Sequence, residues 1–196
     1  MTGFKARIKN SSRKSRIILA NDLDDRNVDK LEAKTIGNIK RLQEYLCAVK
    51  LNLHVILPLN QTSLAKINYA AHDSGLQTIA DIKLNDIGNT NKIAIQRLWQ
   101  AGFDAVIVNP IIGLESLDEL VRSAHSNGHG VVTLVHMSHP GAKLGYGLCV
   151  RNPKTGKMQK LHDLFLKWSN SANVDGIVVG ATVPEIISHS SKMINN

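Results

Sequence analysis

The sequence predicts an α/β fold, a barrel of the (βα)8 TIM type, of which about six βα units lie within the 196 residues. Short β-branched runs alternate with longer segments of helical periodicity, the pattern of βα units around a parallel sheet. Polar residues fall at or just past the C-terminal ends of several different strands: Asp22, Lys50, Asp81, Lys83, Asn109 and Ser138. That end is where βα barrels place their chemistry. A doubly wound sheet would concentrate its site at one switch point and open with a glycine-rich turn. The first turn here is Asn21-Asp22-Leu23-Asp24-Asp25, whose acids would repel phosphate.

The first strand is expected over residues 16–21, followed by a helix over 28–46 with Leu31, Ile36, Ile39, Leu42 and Leu46 on one stripe. A strand over 48–53 and a helix over 63–74 follow, with Gly75 as C-terminal cap. The third unit is a strand over 78–82 and a helix over 89–100, whose first turn Asn89 or Thr90 could cap. The fourth is 105–109 with 114–126. A fifth strand, 130–135, leads into the longest loop of the chain, which holds Met137-Ser138-His139-Pro140-Gly141-Ala142 and runs past Lys157. A helix over 161–169, a strand over 176–179 and a helix over 184–194 complete the pattern, with Pro184 suited to a first-turn position.

Composition narrows the function classes. Hydrophobic residues are 43% and charged residues 20%, and no apolar run approaches the roughly 18 residues of a membrane span. The formal charge of +8 is concentrated in the leader: Lys5, Arg7, Lys9, Arg13, Lys14 and Arg16 are unaccompanied by any acid, and the remaining body carries 18 basic against 16 acidic residues. Residues 1–15 therefore read as a basic, disordered, solubilising leader and 16–196 as one domain, with nucleic acid not expected as a partner. The leader has no apolar segment of a signal peptide. Cys47 and Cys149 make neither a disulfide framework nor a metal knuckle, so a reduced, cytoplasmic setting is expected.

The run Asp81-Ile82-Lys83-Leu84-Asn85-Asp86 carries the sharpest chemical signal. Residues two apart on a strand share a face, so Asp81 and Lys83 should project together while Ile82 packs outward. By itself the pattern fits a structural ion-pair cluster as well as a catalytic one. Lys50 and Asp22, ending two other apolar strands, turn it into an alternating Lys-Asp array in which each charge is held ionised by opposite neighbours. His139 beside Ser138 reads as a loop-shaping His-Pro-Gly turn, because adjacent side chains rarely face each other as nucleophile and base. His72, Asp73 and His189 have no metal-ligand spacing.

These pieces together resemble the orotidine 5'-monophosphate decarboxylase family, in particular its archaeal-type branch. The resemblance rests on Leu19-Ala20-Asn21-Asp22, Val49-Lys50, Ala80 to Ile87 with Asn89-Thr90-Asn91, and Met137 to Ala142, in the family's order, and it spans about residues 16–182. It implies a barrel that dimerises with its active sites at the interface, and a reaction on orotidine 5'-monophosphate that needs neither cofactor nor metal. It also implies Lys83 as the acid protonating C6 of the pyrimidine, Asp81 beside the substrate carboxylate, Asp22 and Lys50 on the ribose hydroxyls, Ser138 on the ring, and Asp86 and Thr90 reaching the partner subunit's site. Metal-dependent sugar-phosphate decarboxylases and synthases of the same superfamily are the alternative, but the acid they use at the end of strand two is here Lys50, which would repel a divalent ion. A further alternative is an inactive remnant.

The family's phosphate site, a glycine-rich loop with a glutamine and a later Gly-Arg pair, has no match after Gly180. Eight units would need roughly 250 residues. The shortfall reads as a chain that stops inside a longer barrel; a genuine six-unit variant would have two open sheet edges for a partner to cover. Weak substrate binding is expected for residues 1–196 by themselves, measured as a KM well above that of an intact homologue.

Overall fold

The computed structural model describes residues 3–152 and 155–194. Six parallel strands form one sheet in the order β1 (Ile18–Asn21), β2 (Ala48–Asn52), β3 (Gln77–Leu84), β4 (Ala105–Val108), β5 (Gly130–His136) and β8 (Gly176–Val179). This is the arc of a (βα)8 barrel. Helices α2 (Val28–Leu42), α4 (Gln61–Asp73), α5 (Gly88–Gln100), α6 (Leu114–Ser126), α8 (Leu161–Ser171) and α9 (Pro184–Met193) connect or follow the strands, and a short α3 (Leu53–Ile56) continues β2. The Asn27 side chain accepts from the Lys30 amide at 2.9 Å and the Asn60 side chain from the Ser63 amide at 2.8 Å, capping α2 and α4. Gly75 takes φ 73° after α4, the left-handed C-terminal cap that its position predicts.

Alternation along the strands divides the core in two. On the outer face Val49, Leu51, Ala80, Val106, Val108 and Val131 meet Leu31, Ile39, Ile67, Ile95, Leu98, Leu117 and Val121 of the helices. On the inner face Ala48, Ile79, Ala105, Ile107, Val132 and Leu134 form a second apolar cluster. Two residues further along β2 and β3 the same inner parity brings Lys50 and Asp81. The inner face is thus apolar at its N-terminal end and charged at its C-terminal end.

Phe4, 3% exposed, belongs to the inner cluster, so the segment Phe4–Ser11 is packed on the sheet where composition suggested disorder. Residues Phe4–Ser11 form a helix, α1, that closes the N-terminal end of the inner face. Phe4 lies so close over Gly130 that a Cβ there would fall 2.1 Å from the ring. The guanidinium of Arg7 donates to Gln77 Oε1 at 2.8 Å, to the Gly128 carbonyl at 3.0 Å and to Asp104 Oδ1 at 2.9 Å. Composition could not show this, because one phenylalanine and one arginine among many surface cations do the anchoring.

Three other expectations change. The helix after β1 stops at Leu42 and gives way to a 3₁₀ turn over Gln43–Tyr45. The long loop after β5 is structured: α7 (Ala142–Tyr146) is followed by an antiparallel hairpin of β6 (Cys149–Arg151) and β7 (Met158–Lys160). Neither Asn89 nor Thr90 caps α5; its N-cap position is Ile87, with no side-chain cap.

Truncating Phe4 to Ala removes a buried ring from the inner cluster, and is expected to lower unfolding free energy by about 3–5 kcal/mol in a urea titration. A change under about 0.5 kcal/mol would return α1 to a dispensable tail. Burial raises the Asp104 carboxyl, but the His72 hydrogen bond, the Thr78 amide and the charges of His72 and Arg7 outweigh it and hold the pKa below the ordinary value. A carboxylate depressed in the folded state contributes stability that is present above its unfolded pKa of about 3.9 and lost as pH falls through the folded one. The wild type should therefore lose more stability than Asp104→Asn as pH is lowered from about 5 through 3; parallel pH curves would rule Asp104 out as the source.

Candidate active site

The charged row is assembled by strand register. β1, β2 and β3 pair in parallel, with Ala20 opposite Lys50, Lys50 opposite Ile79 and Asn52 opposite Asp81. Asp22, just past β1, and Asp81 thus lie two residues beyond the positions paired with Lys50, on the same inner parity, and the long Lys50 side chain extends toward both. Lys50 Nζ lies 2.7 Å from Asp81 Oδ2 and 3.9 Å from Asp22 Oδ1, and Lys83 Nζ lies 2.8 Å from Asp81 Oδ1. Each oxygen of Asp81 thus has its own ammonium. The Asp81 side chain is 7% exposed, against 20% for Lys50, 32% for Lys83 and 45% for Asp22, so the row deepens toward Asp81.

Lys83 reaches Asp81 by a different route from simple alternation. Its backbone is left-handed, φ 47°, and the β3–β4 pairing shifts register between Ala80 and Leu84. A non-glycine residue held there costs on the order of 1–3 kcal/mol and persists where its surroundings over-determine it. Pairing resumes with Leu84 opposite Val108, and the Asn109 amide donates to the Leu84 carbonyl at 2.9 Å. Ile82 packs outward into the helix layer as expected.

The remaining candidates share the C-terminal end of the sheet without touching the row among the described residues. Asp86 and Thr90 are exposed, Asp86 in the turn after β3 and Thr90 in the first turn of α5. Asp86 Oδ1 accepts from the Ile87 amide at 2.7 Å. Ser138 is exposed after β5, and its carbonyl accepts from Thr182 Oγ1 at 3.0 Å. His139, also exposed, packs its ring against Gly141, consistent with a turn rather than a base.

Three supporting residues have little signal in the sequence. Gly180 follows β8 and donates its amide to the His136 carbonyl at 2.8 Å; a Cβ on it would fall 2.6 Å from the Ser138 backbone, so only glycine lets β8 hold the Ser138 loop. A glycine directly after an apolar strand was the available hint. His136, 2% exposed, pairs Nδ1 with the Met137 carbonyl at 2.6 Å and packs its ring against Tyr146 and His162. Burial holds His162 below the usual histidine range despite the pull of Asp163. Asn91, 2% exposed, bonds to both main-chain groups of Asp86.

Chemically the row presents an ammonium, Lys83, beside a buried carboxylate that a second ammonium, Lys50, also contacts. Such a group stabilises negative charge developing on a bound carbon while disfavouring a second carboxylate next to Asp81.

Comparison with known proteins places the chain in a family. The model of the Orotidine 5'-phosphate decarboxylase / HUMPS family matches residues 15–195. The orotidine 5'-phosphate decarboxylase of Methanosarcina barkeri is 32% identical over 184 residues, covering 94% of this chain and 73% of the relative. That of Pyrococcus abyssi is 30% identical over 173 residues, covering 88% and 71%. The solved orotidine 5'-phosphate decarboxylase of Pyrococcus horikoshii superposes with a TM-score of 0.69 at 28% identity, over 91% of this chain and 74% of that one. Leishmania donovani UMP synthase superposes with a TM-score of 0.84 at 20% identity, a likeness of fold, and this chain spans 43% of its length. Matched along nearly its whole described length, the chain belongs to the orotidine 5'-phosphate decarboxylase / HUMPS family.

Proposed function

We propose that the Asp22–Lys50–Asp81–Lys83 row decarboxylates orotidine 5'-monophosphate to UMP, a carboxy-lyase step of pyrimidine biosynthesis. The observation that carries this reading is the buried Asp81 carboxylate held between two ammonium groups at 2.7 and 2.8 Å. As the C6–carboxylate bond breaks, its electron pair stays on C6 and carbon dioxide leaves; Lys83 supplies the proton that quenches C6. Its charge is already in place, so no solvent has to reorganise as the carbanion forms. Asp81 faces the carboxylate that disappears, an interaction unfavourable in the ground state and relieved in the transition state. Asp22 and Lys50 bind the ribose hydroxyls, and Ser138 bonds the pyrimidine ring.

Asp86 and Thr90 act in the site of a second copy, making the working unit a homodimer. Support comes from the surface around Asp86: an open groove of about 460 Å³ is lined by Asn85, Asp86, Ile87, Gly88, Ile112 and Ser116, with Ile87 74% exposed. A reduced, cytoplasmic setting completes the reading and is supported by two free cysteines. No helix among the described residues is long and apolar enough to cross a membrane.

The family's other branch gives a second reading, a metal-dependent sugar-phosphate enzyme. The donor set disfavours it, because the Lys50 ammonium occupies the Asp81 oxygen that a divalent ion would need. The purified chain at saturating orotidine 5'-monophosphate should release carbon dioxide at a rate unchanged by EDTA, and Lys83→Ala should lower kcat by about 10²–10⁴-fold. Loss of the activity with chelator would favour the metal-dependent branch, and a Lys83→Ala rate equal to wild type would remove Lys83 as the proton donor.

A further inference from the structure

We propose that Asn91 is the positioning residue for Asp86, holding the turn that presents this carboxylate at the rim of the site; the inference rests on the decarboxylase reading. Asp86 lies on an exposed turn between β3 and α5, where nothing in the local sequence would keep it in one place. Both of its main-chain groups are nevertheless bound by one buried side chain. Asn91 Oδ1 accepts from the Asp86 amide at 3.1 Å, and Asn91 Nδ2 donates to the Asp86 carbonyl at 2.6 Å. Asn91 is itself anchored, 2% exposed and with its amide on the Ile87 carbonyl at 3.0 Å.

These bonds serve the turn and not the helix. The unsatisfied amides of a helix start are those of its first residues, which for α5 begin at Gly88. Asn91 leaves them alone and reaches back past Ile87 to Asp86. Only a carboxamide does both jobs, since it accepts through oxygen and donates through nitrogen from one rigid plane; an aspartate at 91 would keep the acceptor and lose the donor. With its main chain clamped and Oδ1 on the Ile87 amide, Asp86 has Oδ2 as its one oxygen left to aim. Among the described residues it forms no ion pair, in contrast to Asp81. A rim carboxylate so fixed, with no cation beside it among the described residues, is placed for a group from outside these residues, which the proposed dimer provides.

The test uses the full chain and the variants Asn91→Ala, Asn91→Asp, Asp86→Asn and Asn91→Ala/Asp86→Asn, with kinetics and amide exchange read on each. A misplacement of about 1 Å at a reacting group can cost on the order of 10²-fold in rate. Asn91→Ala should lower kcat about 10- to 100-fold, Asn91→Asp should fall between it and wild type, and the double variant should be no slower than Asp86→Asn. Exchange at the Asp86 and Ile87 amides should rise at least about tenfold in Asn91→Ala, while Ile79, Ala80 and Val106 of the sheet stay protected. A wild-type kcat in Asn91→Ala, or losses that multiply in the double variant, would overturn the proposal. If Asn91→Ala does not fold, the isosteric Asn91→Asp carries the same comparison. Should wild type and Lys83→Ala both prove inactive, the decarboxylase reading falls, and unchanged exchange at Asp86 in Asn91→Ala would then sink the clamp as well.

Discussion

The rest of the site depends on how one carboxylate is accommodated inside the protein. Asp81 is 5% exposed, and an isolated carboxylate at that depth would cost several kcal/mol to desolvate. Two ammonium groups within 2.8 Å offset that cost, each contributing gross attraction on the order of 4–6 kcal/mol at an effective dielectric near 20. Removing either lysine would leave Asp81 with a single partner, so the group that enables the chemistry is also one the fold has to accommodate. Lys50 arrives by plain parallel register from β2. Lys83 arrives only because the backbone turns left-handed at that residue, a local strain held by the resumed pairing at Leu84.

The inner face of the sheet separates stability from function along its length. At the N-terminal end it is closed by Phe4 and by the bonds from Arg7 to Gln77, Asp104 and Gly128, all within an apolar or fully hydrogen-bonded setting. At the C-terminal end the same inward positions become Asp22, Lys50 and Asp81. Both ends use buried carboxylates held by cations, but for different purposes. Asp104 joins α1 to β3 and β4, whereas Asp81 gathers Lys50 of β2 and Lys83 of its own strand at the candidate site.

Much of this was legible in the residues. The six strands and their helices follow from periodicity, and several boundaries agree to the residue, as for the helix over 114–126 and the strand over 176–179. The charged row was legible because each member ends an apolar strand, and an unneeded charge there would be costly. What escaped was set by long-range contact. Phe4 and Arg7 look like parts of a solvated tail because their partners lie on strands distant in sequence; the separation is 70 residues for Arg7 and Gln77 and 97 for Arg7 and Asp104. The hairpin after β5 was hidden because its strands are three residues each and lack an apolar alternation. Asn91 stands beside two polar neighbours, Asn89 and Thr90, equally suited to cap α5, and spacing does not say which of the three turns inward.

By itself the sequence determined the parallel αβ pattern, the identity of the four charges and their order along the strands, because these follow from period and from the cost of charge in apolar runs. The tertiary structure decided which charges meet. Register between β1, β2 and β3 set Lys50 two residues short of Asp22 and Asp81 on the same inner parity, within reach of both, the left-handed residue Lys83 closed the row, and Asp86 stayed outside it, at the rim. Those outcomes depend on hydrogen bonds between segments tens of residues apart, and no local pattern encodes them.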